Sequence, residues 1–156
     1  MRGHLNLHHQ QLFYFCAAFM GRILAIDYGR KRAGLAVTDE LKMIAGGLTT
    51  VHVKDIWDFL AKYLSEQEVE CIVIGEPRDL RNAPSEASRF IEPFVNRLRK
   101  LYPALRIERY DERFTSKLAL DSMLEGGLRK KKRQDKALVD KISATLILQS
   151  YLESIK

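Results

Sequence analysis

The chain has 156 residues, of which 46% are hydrophobic, with 9 Gly and 4 Pro. This length suits one domain, and the composition excludes a disordered or low-complexity chain because it can build a packed core. The formal net charge of +6 favours a polyanionic partner, since basic surfaces attract phosphate chains. No segment has the length of a transmembrane helix, and Cys16 and Cys71 lack metal-ligand spacing, so we expect a cytoplasmic protein with no membrane partner.

Residues 1–19 differ in character from the rest of the chain. Their apolar run, Leu12–Phe19, is too short to span a bilayer and is followed by no clean cleavage site. We predict that residues 1–19 are an N-terminal extension, disordered or packed on the surface, or else a mis-chosen start. Residues 20–156 are then a single domain.

Apolar periodicity predicts secondary structure in the order βββαβαβα. The first three strands are expected at 22–29, 33–38 and 46–53, and their short connections favour antiparallel pairing. The elements that follow are a helix at 55–67 capped by Asp55, a strand at 71–74, a helix at 87–101 that Pro93 should kink or split, a strand at 105–110, and a last helix from its cap Asp135 to about Tyr151. This order predicts an α/β fold with a five-stranded mixed sheet, the fourth and fifth strands parallel to the first, and helices on both faces.

Three acids lie where open α/β sheets bind ligands, at the carboxyl ends of parallel strands and on the helix that faces them. Asp27 and Glu112 end the first and fifth strands. Asp140 belongs to the apolar stripe of the last helix, together with Ala144, Ile147, Leu148 and Tyr151. A carboxylate on a buried stripe is costly without a cation or a tight partner, so we expect the three acids to converge.

A divalent cation makes such a cluster tolerable and gives it a function. Oxygen ligands without a nearby His or Cys favour Mg²⁺ or Mn²⁺, and two such ions could activate a water and stabilise the leaving oxygen of a phosphodiester. Purely structural roles remain open at this stage. In those roles Asp27 caps a turn, Glu112 pairs with Arg113 or Arg109, and Asp140 pairs with Lys136 or Lys141.

Four sequence blocks resemble the bacterial YqgF or RuvX proteins, which are described both as Holliday junction resolvases and as pre-16S ribosomal RNA nucleases. The resemblance covers residues 20–156. The blocks are Ala25–Asp39, Ile72–Pro77, Asp111–Ser116 and Asp140–Gln149. The resemblance implies a ribonuclease H-like fold and Mg²⁺- or Mn²⁺-dependent phosphodiester hydrolysis by acids at Asp27, Glu112 and Asp140.

Two positions depart from the family pattern. Where the family usually has Gly-Leu-Pro, this chain has Gly75-Glu76-Pro77, which adds an acid at the exit of the fourth strand. An acid near this point can be a metal ligand in the wider superfamily, so Glu76 is a candidate fourth ligand, although it can equally point to solvent. Asn82 replaces a common glycine, and Asn can still adopt a left-handed conformation.

Basic residues flank the three acids in sequence and predict a nucleic-acid surface. A phosphate backbone bound there would lie close to the carboxylates, although such charge runs are also found on ordinary solvated surfaces. The candidate residues are Arg30, Arg32, Arg113, Lys117, Arg129, Lys130, Lys131, Lys132 and Arg133.

The leading hypothesis is a nuclease for structured RNA, with 5′-end processing of pre-16S rRNA as the role implied by the resemblance. Cleavage of branched DNA at Holliday junctions is the nearest alternative, because both reactions need the same acids and the same basic surface. A non-catalytic RNA-binding factor for ribosome assembly is a third. Sugar-kinase and actin-type ATPases need two such domains, and this chain has room for one. The oligomeric state is expected to be a monomer or a weak dimer.

Overall fold

The computed structural model describes residues 21–77, 86–112 and 135–156. Its strands are β1 (Arg22–Tyr28), β2 (Arg32–Thr38), β3 (Ala45–His52), β4 (Val69–Glu76) and β5 (Arg106–Asp111). The helices within these ranges are α1 (Ile56–Glu66), α2 (Ser88–Leu101) and α3 (Lys136–Ser154). The predicted N-terminal extension lies outside the described residues and stays a prediction. None of the described helices has the length and hydropathy of a membrane span.

The five strands form one sheet in the order β3-β2-β1-β4-β5. Strand β2 pairs antiparallel with both β1 and β3, whereas β4 runs parallel to β1 and to β5. The carboxyl ends of β1, β4 and β5 therefore meet at one edge of the sheet, which we call the carboxyl edge. This arrangement confirms the predicted mixed sheet.

Helices cover both faces of the sheet, as predicted. Leu24 and Ile26 of β1 belong to a buried cluster with residues of α1 and α2, on what we call the α1/α2 face. Ile23 and Ala25 belong to a second cluster with residues of α3, on the α3 face. Successive side chains of β1 thus point to opposite faces, and both faces are buried because this strand is central.

Helix α3 lies very close to the sheet at its first turns. The Asp135 side chain caps the helix, as predicted, by accepting hydrogen bonds from the backbone N–H groups of Ala137 and Leu138 at 3.1 and 3.3 Å. A Cβ atom on Gly34 of β2 would collide with the backbone oxygen of Asp140. Glycine at this position therefore lets the part of α3 that carries Asp140 approach the sheet.

Some predicted local features are wrong. Strand β4 spans Val69–Glu76 rather than 71–74, and α3 continues to Ser154. Asp55 precedes α1 without a side-chain capping bond, because its backbone is already in the helical region rather than extended. Helix α2 is not split at Pro93, which is on the exposed side, where water can bond the backbone oxygen that loses its donor.

Candidate active site

Asp27 and Glu112 meet on the α3 face of the carboxyl edge. Asp27 alternates with Ile23 and Ala25 along β1, and so points to the α3 face. Glu112 follows β5 directly, two residues after Tyr110, which packs against the α3 cluster. The carboxyl groups of Asp27 and Glu112 share a hydrogen bond. The structure therefore brings together two of the three predicted acids.

Gly75 of β4 makes the close approach of Glu112 to Asp27 possible, and the role of this glycine was not predicted from the sequence. A Cβ atom on Gly75 would collide with Oε1 of Glu112 and would lie 2.7 Å from Cδ1 of Ile147 in α3. The missing side chain leaves the space through which Glu112 reaches across β4 towards Asp27. A glycine at the end of a buried strand is a sequence signal for such a close approach.

The two carboxyl groups hold protons more tightly than isolated acids do. Burial and, to a lesser extent, the nearby charge of Asp140 raise the pKa of Asp27 from 3.8 to about 6, against the lowering effect of the hydrogen bond with Glu112. Burial, the charge of Asp27 and the shared hydrogen bond raise the pKa of Glu112 from 4.5 to about 8. At neutral pH Glu112 is thus protonated and donates its hydrogen bond to Asp27, which is how close acids relieve their repulsion without a cation.

Asp140 completes the acidic group from α3. It is close enough to influence the pKa of Asp27, and its Oδ2 accepts a hydrogen bond of 2.8 Å from Nε of Arg32. The two side chains are 26% and 35% exposed, so this ion pair is partly shielded from water. Its partner is Arg32 of β2, rather than Lys136 or Lys141. Arg32, which we predicted to bind nucleic acid, lies directly against a predicted metal ligand.

The donor chemistry of the three acids fits Mg²⁺ or Mn²⁺, because all three offer carboxylate oxygens. Their spacing fits less well, since among the described residues no three His, Cys, Asp or Glu side chains are grouped closely enough to hold a metal ion. Positive charge is supplied by the proton between Glu112 and Asp27 and by the guanidinium of Arg32 at Asp140. Binding of a cation by all three acids would require displacing that proton and bringing the three carboxylates closer together.

Glu76, the candidate fourth ligand, points away from this group. It alternates with Ile72 and Ile74, which belong to the α1/α2 cluster. Its Oε1 lies 3.5 Å from Nη2 of Arg109, whose Nη1 lies 2.6 Å from Oε1 of Glu92 in α2. This geometry does not support Glu76 as a metal ligand.

Two of the predicted nucleic-acid residues can be placed. Arg32 contacts Asp140, and Arg30 is exposed beside Glu86, with an Nη2 to Oε2 distance of 3.4 Å. The others lie outside the described residues, and their role stays a prediction. These are Arg113, Lys117, Arg129, Lys130, Lys131, Lys132 and Arg133.

Comparison with known proteins assigns the family. Residues 21–154 match the family model described as "RuvX: Holliday junction resolvase". The chain belongs to the RuvX family. This confirms the resemblance drawn from the four sequence blocks and makes the chain a member of a nuclease family.

Several relatives carry the name "Putative pre-16S rRNA nuclease", and their similarity to this chain extends over nearly their whole length. One, from Phocaeicola vulgatus, is 60% identical over 137 residues, which are 88% of this chain and 99% of the relative. Another, from Christiangramia forsetii, is 55% identical over 133 residues, which are 85% of this chain and 98% of the relative.

A solved structure confirms the fold. The chain of T. thermophilus RuvC in complex with Holliday junction substrate superimposes with a TM-score of 0.54 at 17% identity, over 87% of this chain and 97% of that one. The predicted ribonuclease H-like fold is therefore confirmed.

Proposed function

We propose that this RuvX family member is a metal-dependent nuclease that processes the 5′ end of pre-16S rRNA, with Asp27, Glu112 and Asp140 as its metal ligands. The observation that carries the proposal is the shared hydrogen bond of Asp27 and Glu112 at the carboxyl edge, with Asp140 close by. The names of the relatives support RNA as the substrate.

The protein's own side chains prepare this site for a cation and a phosphate. Asp27, Glu112 and Asp140 would hold Mg²⁺ or Mn²⁺, which supplies an activated water and neutralises charge on the leaving oxygen. Gly75 keeps the path of Glu112 open, and the partial burial of the acids limits their contact with bulk water. Arg32 adds a guanidinium 2.8 Å from Asp140, where it can also pair with a phosphate oxygen.

Resolution of Holliday junctions is a second candidate, because the matching family model is described by that activity. The same acids would serve both reactions, and the substrates differ in shape and sugar. A direct choice of substrate is therefore the test that separates them.

The test offers the purified protein a precursor RNA fragment that spans the mature 5′ end of 16S rRNA and, separately, a four-way DNA junction. Each is incubated with Mg²⁺, with Mn²⁺ and with chelator, and Asp27→Asn is the inactive control. We expect the wild-type protein to cut the RNA with either metal, and neither the chelated protein nor the variant to cut it.

Other outcomes would reverse parts of the proposal. Cleavage of the junction alone would make the protein a resolvase. Binding of the RNA without cleavage under any condition would make it a non-catalytic assembly factor. Undiminished cleavage by Asp27→Asn would reject the carboxylate site.

A further inference from the structure

A cavity opens on the α1/α2 face of the carboxyl edge, on the opposite side of β1 from the three acids. Its volume is about 270 Å³. That is just below the range of roughly 300–1,000 Å³ typical of small-molecule clefts, so it suits a single planar ring system. Its lining residues are Tyr28, Gly29, Arg30, Glu86, Arg89 and Phe90.

Aromatic rings form one wall of this cavity, and the core holds them in place. Tyr28 stacks on Phe94 with ring centroids 4.1 Å apart and an interplanar angle of 13°, and Phe94 is only 3% exposed. Tyr28 also packs against Phe90 at a centroid distance of 6.4 Å. Both Tyr28 and Phe90 remain partly exposed, so they present fixed apolar surface to a ligand.

Two arginines, Arg30 and Arg89, also line the cavity. Cζ of Arg30 lies 5.8 Å from the centroid of the Phe90 ring, within cation–π range. Arg89, the neighbour of Phe90 on α2, is exposed. The acid in the lining, Glu86, pairs with Arg30, but their side chains are 82% and 71% exposed. Such an exposed pair is weak and can exchange for a phosphate.

We propose that this cavity binds one nucleobase of the substrate strand, stacked on the ring of Phe90, with the guanidinium groups of Arg30 and Arg89 beside the adjoining phosphate. Aromatic rings and arginine planes are the surfaces on which unpaired bases stack in single-stranded RNA and DNA complexes. This inference rests on the proposed nuclease function and names the part of the substrate held beyond the scissile phosphate.

The strand geometry connects the cavity to the catalytic acids. Asp27 and Tyr28 are consecutive in β1, and their side chains point to opposite faces of the sheet. A nucleic-acid strand that crosses the carboxyl edge can therefore present a phosphate to Asp27 and an unstacked base to Tyr28 and Phe90. This requires that base to be unpaired, so the enzyme should prefer cleavage sites at the junction of a helix and a single strand.

The test measures binding in chelator, where nothing is cut. An RNA with a helix and a single-stranded flank is prepared as a set in which each flanking nucleotide in turn is made abasic. Loss of one particular base should weaken wild-type binding about tenfold or more, the order expected for one base stacked on an aromatic side chain.

Phe90→Leu keeps an apolar side chain and removes the aromatic face. It should bind the intact and the critical abasic RNA equally, both at the weakened level. Phe59→Leu is the matched control, since Phe59 stacks on Tyr63 of α1 and does not line the cavity. It should show the same dependence on the critical base as the wild-type protein.

The cavity proposal and the proposed function can fail separately. If Phe90→Leu loses affinity by one constant factor for every abasic RNA, or if no single base matters to the wild-type protein, the base is not held at Phe90, even if the enzyme cuts RNA. If the base dependence is found and the protein cuts nothing, the cavity stands and the nuclease proposal falls.

Discussion

The two faces of the carboxyl edge carry opposite chemistry, although they are built from neighbouring residues. On the α3 face, Asp27 and Glu112 share a proton and Asp140 lies close to them. On the α1/α2 face lie Tyr28 and the ion pairs of Arg109. Strand alternation sends consecutive residues to different faces, so a one-residue difference in position separates a candidate metal ligand from a candidate base platform.

The comparison also shows how each face balances its negative charge. On the α1/α2 face, Arg109 lies 3.5 Å from Glu76 and 2.6 Å from Glu92. On the α3 face, Glu112 is balanced by keeping its own proton, which its raised pKa of about 8 reflects. An acid that stays neutral until it meets a cation is suited to metal binding, whereas an acid held by arginine is suited to structure.

The largest expected effect is a loss of cleavage activity, and it is tested at Glu112 and Glu76, two glutamates at the ends of adjacent strands. Glu112→Gln should reduce metal-dependent cleavage about 10²–10³-fold, because it removes one group that holds charge at the reacting centre. Glu76→Gln should stay within about threefold of the wild-type rate, since Glu76 points away from the three acids and an amide of the same shape can still accept a hydrogen bond from Arg109. Single-turnover cleavage rates measure both. Equal losses would return Glu76 to the ligand set.

Stability against pH provides the second test, in metal-free protein. Because the pKa of Glu112 rises from 4.5 to about 8 on folding, the folded state binds more protons than the unfolded state between these values. Stability must therefore fall as pH rises through that window, by about 1–3 kcal/mol for a partly buried group of this kind. The Glu112→Gln variant has no ionisable group at this position, so it should lose less stability over the same pH range.

Urea unfolding in chelator from about pH 5 to about pH 9 measures this difference, with Glu76→Gln expected to show the same dependence on pH as the wild-type protein. Mn²⁺ added at the alkaline end should restore stability to the wild-type protein by binding its folded state. Parallel curves for the wild-type protein and Glu112→Gln would show that Glu112 carries no excess proton on folding.

Local sequence patterns predicted most of the strands and the positions of the three acids, because burial and period-two alternation are encoded within each segment. They did not reveal which face Glu76 occupies. Strand β4 is apolar on both faces, so that answer depends on its register with β1, in which Ile26 lies opposite Ile74. The pairing of Arg32 with Asp140 joins residues 108 positions apart and likewise follows from the tertiary fold alone.

Glycine substitutions provide a third, smaller test of the α3 face. Gly75→Ala would place a methyl group against Oε1 of Glu112, and no described glycine has a positive φ, so the effect is steric. Overpacking of this kind costs about 1–3 kcal/mol, and it should also displace Glu112 and slow cleavage. Gly46→Ala is the control, since its nearest neighbour would be the backbone oxygen of Val37 at 3.9 Å. Thermal unfolding and cleavage rates measure both variants. Normal activity of Gly75→Ala would show that the added methyl group does not displace Glu112 from the site.

The smallest expected effect concerns Arg32, whose role on the α3 face can be read in two ways. If its guanidinium competes with a cation for Asp140, Arg32→Gln should bind Mn²⁺ about two- to fivefold more tightly, as expected from an ion pair worth up to about 1 kcal/mol. If it instead holds Asp140 in position for the metal, the same variant should bind Mn²⁺ more weakly. Lys31→Gln removes an equal charge from the exposed neighbouring residue and corrects for long-range electrostatics. We expect tighter binding by calorimetry relative to Lys31→Gln, because three acids without a bound cation need a counter-ion, and Arg32 is the group the structure places on Asp140.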